Sequence, residues 1–224
     1  MIMSISFISN GCKVSAILST PKTTHKSIVV MVHGLNSRKD SSTNIALEKI
    51  LLEHNIASFR FDLFAHGESD GLVEERSVAK FVENILDALA YVKRLGYHNI
   101  ALCGASFGGV AAAIASSKNQ DITVLILKSP GMGKTSREMS NYKDDFEELS
   151  WIKAGNNISI PALIVHGAAG KNVEVDLGKK LAAAIKQSKV VLIDGADHSF
   201  TRKEDFEKMI HVISQFIIEQ LGRR

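Results

Sequence analysis

Apolar positions along this chain follow two rhythms. Residues 27–32, 122–128 and 160–166 are short, nearly unbroken apolar runs with polar or glycine residues at their ends. Such runs predict strands buried on both faces. Between runs of this kind, apolar side chains recur every three or four positions. The clearest case is 78–95, where Val78, Val82, Ile85, Leu89 and Val92 line one helical face. Ser77 is placed to cap that helix and Gly96 to stop it. The same reading predicts helices over 43–54, 107–117 and about 175–186. A last helix starts near Lys203, with Phe206, Ile210, Ile213 and Ile217 on one side. It also predicts strands over 56–61, 99–103 and 189–193. Near the start, two alternating runs, 5–8 and 14–18, flank Ser9-Asn10-Gly11, a hairpin turn signal.

Strands alternating with amphipathic helices predict an α/β fold: a mostly parallel central sheet flanked by helices. The alternation runs through the whole chain, so 1–224 is expected to form a single domain. It breaks once, over 131–157, a stretch holding Met132, Met139, Tyr142, Phe146 and Trp151. That stretch is too short to hold a core of its own. The expectation is a small cap insertion over the carboxyl edge of the sheet, its aromatics and methionines lining an apolar pocket. In open sheets of this type ligands bind beyond the carboxyl ends of the strands, so chemistry is expected in the loops that follow them.

Composition narrows this picture only a little. With 45% hydrophobic and 23% charged residues, the 224-residue chain is neither disordered, collagen-like nor a coiled coil. A net charge of +3 is too mild to imply nucleic-acid binding. The two cysteines, Cys12 and Cys103, make no disulfide framework and are read as reduced thiols, Cys103 as a small buried strand residue. No apolar run reaches the ~20 residues of a membrane span. Ser4, Ser6, Ser9 and Asn10 interrupt the first residues, so no signal peptide is expected and a cytoplasmic location follows. No histidine or cysteine spacing suggests a metal, and no glycine-rich nucleotide motif is present, so no cofactor is expected.

The informative motif is Gly104-Ala105-Ser106-Phe107-Gly108, lying between a predicted strand and an alanine-rich helix. This is the setting of a nucleophile elbow: a tight strand-to-helix turn lifts the serine hydroxyl clear of the sheet. Side chains at 104 or 108 would collide with neighbouring elements. A serine hydroxyl needs a base, and His198 follows the last predicted strand, at the same sheet edge as Ser106. Acyl transfer also develops an oxyanion. The amide of Phe107 and, from His33-Gly34-Leu35 after strand 27–32, the amide of Leu35 are the expected donors. His33 is expected to order that loop.

With these residues in hand, the chain resembles the α/β-hydrolase superfamily, and within it the small serine esterases and acylglycerol-lipase-like or serine aminopeptidase-like members. The resemblance runs from about 15 to 221. It rests on His33-Gly34, Arg60-Phe61-Asp62, His66-Gly67-Glu68-Ser69-Asp70-Gly71, the elbow, His166-Gly167 and Asp197-His198. It implies a cofactor-independent hydrolase acting on a small carboxylic ester, with thioesterase or peptidase action using the same parts. It also implies that His66 and Asp70 are scaffolding. The family's third catalytic residue, an aspartate three positions past the glycine ending strand seven, falls here on Gly170. The loop Ser129-Pro130-Gly131 offers no carboxylate either. Three readings stay open. Asn172, Glu174, Asp176, Asp144 or Asp145 substitutes for the acid; the protein is a weak hydrolase or an inactive hydrolase-fold binding protein; or position 170 is itself a substituted one. The sequence leaves acyl and alcohol specificity and the oligomeric state open.

Overall fold

The computed structural model describes residues 1–22, 26–131, 150–170 and 175–222. Eight strands form one sheet: β1 (Ile2–Ser9), β2 (Cys12–Ser19), β3 (Ser27–Val32), β4 (Ala57–Phe61), β5 (Asn99–Ala105), β6 (Ile122–Lys128), β7 (Ala162–Gly167) and β8 (Ser188–Ile193). Their order across the sheet is β1-β2-β4-β3-β5-β6-β7-β8. β1 pairs with β2, and β2 with β4, antiparallel; every other pairing is parallel. The β1–β2 turn places Asn10 at φ 50° and Gly11 at φ 74°. Two consecutive positive φ values define the hairpin turn whose twist matches the strands it joins.

Among the described residues six α-helices flank the sheet: α1 (Ser42–Glu53), α2 (Val78–Arg94), α3 (Phe107–Lys118), α4 (Ser150–Ala154), α5 (Val175–Ala184) and α6 (Lys203–Gly222). The hydroxyl of Ser77 accepts the Lys80 amide at 3.1 Å, capping α2 as expected. β3 explains why its run is continuously apolar. Ile28, Val30 and Val32 enter the core under α2 and α3, while Val29 and Met31 enter the second core under α1 and α6. Alternate side chains of one strand thus serve two layers. None of the described helices is long and apolar enough to cross a membrane.

Several boundaries move by one to three residues, and three of the shifts have a plain local reason. The Ile56 amide still bonds the Leu51 carbonyl at the exit of α1, so β4 begins at Ala57. Pro161 has no amide to donate, and β7 begins at Ala162. β5 runs on to Ala105 because Ala105 pairs with Lys128. One expectation is corrected. Trp151 is only 1% exposed and lies in the core with Ile158, Leu181 and Ile185, where α4 packs on α3 and α5. Among the described residues it therefore serves as core and not as the lining of a pocket. Met132, Met139, Tyr142 and Phe146 lie outside the described residues.

Candidate active site

At the elbow, Ser106 has φ 50° and ψ −121°. This is a sparsely populated conformation for a residue with a side chain, costing about 1–3 kcal/mol, and the surroundings must hold it. The Ser106 amide donates to the Lys128 carbonyl at 2.8 Å, and the Ser106 carbonyl accepts the Gly109 amide at 2.9 Å. Glycine on either side is a packing requirement. A Cβ at Gly104 would lie 2.7 Å from that of Ala112, and one at Gly108 would collide with the His33 carbonyl. The turn brings the Ser106 hydroxyl to the carboxyl edge, with α3 starting immediately behind it.

His198 comes to the same place from the loop after β8. Its Nε2 lies 3.0 Å from Ser106 Oγ. That loop is built on Asp197, whose Oδ1 accepts the amides of Ser199 at 2.9 Å and Thr201 at 3.1 Å. The carboxylate of Asp197 thus braces the loop. The other ring nitrogen of His198, Nδ1, is buried and has no hydrogen-bond partner among the described residues. Gly170 lies against this histidine: a Cβ there would stand 3.2 Å from the His198 amide nitrogen and 3.4 Å from its Cα. At the position expected for the acid the chain thus packs on the backbone of His198, with no side chain to offer. Burial, the Lys128 ammonium and His166 lower the His198 pKa to about 4, against the opposing pull of Asp197.

Of the candidate substitutes for the acid, Asp176 makes no hydrogen bond to His198 Nδ1. It sits exposed in the first turn of α5 and pairs with Lys179 at 3.4 Å. Asn172, Glu174, Asp144 and Asp145 lie outside the described residues.

The opposite wall is the loop after β3. A Cβ at Gly34 would approach Ser106 Cβ to 3.2 Å, so this loop lies directly beside Ser106. Leu35 lines the cavity next to Ser106. Phe107 is the first residue of α3, which puts its amide at the positive end of the helix. His33 orders the loop. Its Nε2 accepts the Leu63 amide at 3.0 Å, and its Nδ1 donates to the Gly34 carbonyl at 2.7 Å. Burial lowers its pKa to about 4, so the ring is a neutral brace at ordinary pH. Further out, Lys39 Nζ lies 2.7 Å from both Asp62 and Glu68, and Asp62 also accepts the amides of Lys39 and Glu68. His66 and Asp70 belong to this scaffold. His66 Nδ1 donates to the Phe64 carbonyl at 2.8 Å, and Asp70 accepts the Lys13 amide at 3.0 Å.

Ser106 and His198 open into a cavity of about 320 Å³. Its described lining is polar, with Ser37, Ser41, Thr43, Lys128 and Ser199 beside the residues already named. An apolar pocket was the expectation, and the described part of the site differs from it. Sequence reasoning missed Lys128. The signal was present: a lysine ending an otherwise apolar strand at the edge where ligands bind. No three His, Cys, Asp or Glu side chains among the described residues are grouped to hold a metal ion.

A mostly parallel eight-stranded sheet with a strained serine at the elbow after β5 defines an α/β hydrolase. The particular family follows from the sequence: residues 23–151, more than half of the chain, match the model of the serine aminopeptidase family S33, and the chain belongs to that family of hydrolases. Solved structures agree in fold. Est1E from Butyrivibrio proteoclasticus, with ferulic acid bound, aligns with a TM-score of 0.82 at 24% identity, over 97% of this chain and 99% of that one. An esterase from Pyrococcus furiosus aligns at 0.80 and 16% identity, over 99% and 92%. Dienelactone hydrolase from Anabaena variabilis aligns at 0.78 and 16%, over 98% of each. No curated protein matches the chain.

Proposed function

We propose that this hydrolase cleaves a small carboxylic ester through an acyl-enzyme on Ser106. One observation carries the reading: Ser106 Oγ stands 3.0 Å from His198 Nε2, within reach for proton transfer. His198 takes the hydroxyl proton as Oγ attacks the carbonyl carbon. The oxyanion then faces the amides of Leu35 and Phe107. As the tetrahedral intermediate collapses, His198 protonates the departing alcohol. A water, deprotonated by the same ring, releases the acid and restores Ser106. The esterases among the fold relatives, and the ferulic acid bound to Est1E, support an ester of small size.

The unpartnered Nδ1 favours a second reading, a weak hydrolase or an inactive binder on this fold. A carboxylate at Nδ1 selects the tautomer whose Nε2 can accept a proton, and its loss in serine proteases reduces turnover by about 10⁴. Treatment with a fluorophosphonate separates the two. The hydrolase reading expects one covalent adduct on Ser106, slow turnover of p-nitrophenyl acetate, and loss of both in Ser106→Ala. Absence of adduct and turnover in the unaltered protein overturns it in favour of the binder.

A further inference from the structure

We propose that Lys128 makes the cavity beside Ser106 a site for an ester that carries its own carboxylate, such as a half-ester of a small dicarboxylic acid. The inference rests on the esterase reading above and adds the substrate class.

Lys128 closes β6, and its carbonyl holds the Ser106 amide, so it is joined to the elbow through the backbone. Its side chain follows Val124 and Ile126 on the face of the sheet covered by α1 and α6. The ammonium lies 5.4 Å from the centre of the Phe200 ring and 3.3 Å from Thr43 Oγ1. Among the described residues it has no carboxylate partner. The two more deeply buried cations differ: Lys39 has Asp62 and Glu68, and Arg60 has Glu48 and Asp40. The acid whose charge reaches Lys128 is Asp197, and its Oδ1 is held by the Ser199 and Thr201 amides. Burial accordingly holds the Lys128 pKa below the usual lysine value, with Cys103 and Asp197 pulling it back up.

The cavity around this ammonium offers it no opposite charge among the described residues. Its described lining contains Lys128, two imidazoles and several hydroxyls, with no aspartate or glutamate. Ser129 adds a buried hydroxyl without a hydrogen-bond partner among the described residues. A half-buried cation without a counter-ion is unfavourable unless a ligand supplies one. A carboxylate on the substrate would do so. It would also offset a cation that disfavours the protonated form of His198. Bound substrate would then bring a negative charge into a site whose own acid position is glycine.

The test has a binding arm and a kinetic arm. In Ser106→Ala protein, calorimetry compares monomethyl succinate with dimethyl succinate. The expected result is binding of the monoester tighter by about tenfold or more. That preference is expected to vanish in Lys128→Gln and Lys128→Met and to survive in Lys128→Arg, with circular dichroism unchanged. Equal affinity for both esters overturns the proposal, and so does a preference that persists without the cation. In the unaltered protein, kcat/KM for p-nitrophenyl hemisuccinate is compared with that for p-nitrophenyl butyrate. Equal hydrolysis of the two overturns the carboxylate site and leaves the esterase standing. Lys128-dependent binding of the monoester, with no hydrolysis and no fluorophosphonate adduct, overturns the esterase and leaves the site standing.

Discussion

Of the histidines at the carboxyl edge of this sheet, two flank Ser106, and their surroundings are opposites. His33, after β3, uses both ring nitrogens, one for the Leu63 amide and one for the Gly34 carbonyl. His198, after β8, uses Nε2 toward Ser106 and leaves a buried Nδ1 without a partner among the described residues. Burial lowers both pKa values to about 4. Titration alone therefore does not separate the brace from the proposed base; their hydrogen bonds differ. A ring whose every polar atom is satisfied holds its position and has nothing to give. His198 directs one nitrogen at a strained serine and lacks such a brace at the other, so on the proposed mechanism it is a base without the partner that would fix its tautomer.

The largest effect is expected where the satisfied side is broken. Asp62 is fully buried and holds Lys39 Nζ along with two backbone amides. Burial alone would raise its pKa, but the Glu68 amide and Lys39 outweigh it and hold the carboxyl below the usual range. Asp62→Ala leaves a buried ammonium short of a partner and is expected to destabilise the fold by about 3–5 kcal/mol in urea unfolding. A loss under about 1 kcal/mol would mean that this loop is not braced by its ion pairs.

Next comes the unsatisfied side. Gly170→Asp places a carboxylate beside His198 and is expected to raise kcat/KM by about 10²-fold, part of what the acid contributes in complete triads. The pH profile carries a second readout. On the proposed mechanism His198 works as neutral imidazole, so activity is expected to fall as pH drops through its pKa, near 4 in the unaltered protein. A new carboxylate favours imidazolium, so the acid limb should move upward in Gly170→Asp. An acid limb already near 6.5–7 in the unaltered protein would mean that another carboxylate of the chain sits at Nδ1.

These two sides were unequally legible in the sequence. The strands and helices came through because burial on both faces writes continuous apolar runs, as in β3, and burial on one face writes the period of α2. Ser106 came through because glycine at 104 and 108 is a steric necessity. The absence of a carboxylate at 170 was legible as an anomaly of the family pattern. Two things were not legible. Trp151 fills a space between α3 and α5 that exists only after the chain folds. Lys128 looks like any strand-ending lysine until β6 is laid beside β5 and its carbonyl meets the elbow.

A smaller effect is expected from His33→Ala, which leaves the Leu63 amide and the Gly34 carbonyl without the ring. The expected loss is about 1–3 kcal/mol of stability, read in urea. The His33 pKa lies below that of an unfolded histidine, so the unfolded chain takes up its proton first. Its contribution to stability therefore falls as pH drops from about 6.5 toward 4 and levels off below. The variant should show a shallower acid slope over that window. An unchanged slope would assign the acid sensitivity to other groups.

The smallest effect is expected at Glu68, and it isolates burial from charge. One ammonium, Lys39 Nζ, stands 2.7 Å from Asp62 and 2.7 Å from Glu68. The Asp62 side chain is 0% exposed and that of Glu68 is 76% exposed. Equal distances would give equal contributions if Coulomb attraction alone decided stability. Water screens the exposed carboxylate and solvates it equally well in the unfolded chain, so Glu68→Gln should leave the urea midpoint unchanged within error. The Glu68 amide, which does matter to Asp62, is untouched by that substitution. A midpoint that falls as far as in Asp62→Ala would show that the lysine needs both charges, and that solvent exposure is the wrong measure of what braces this side of the site.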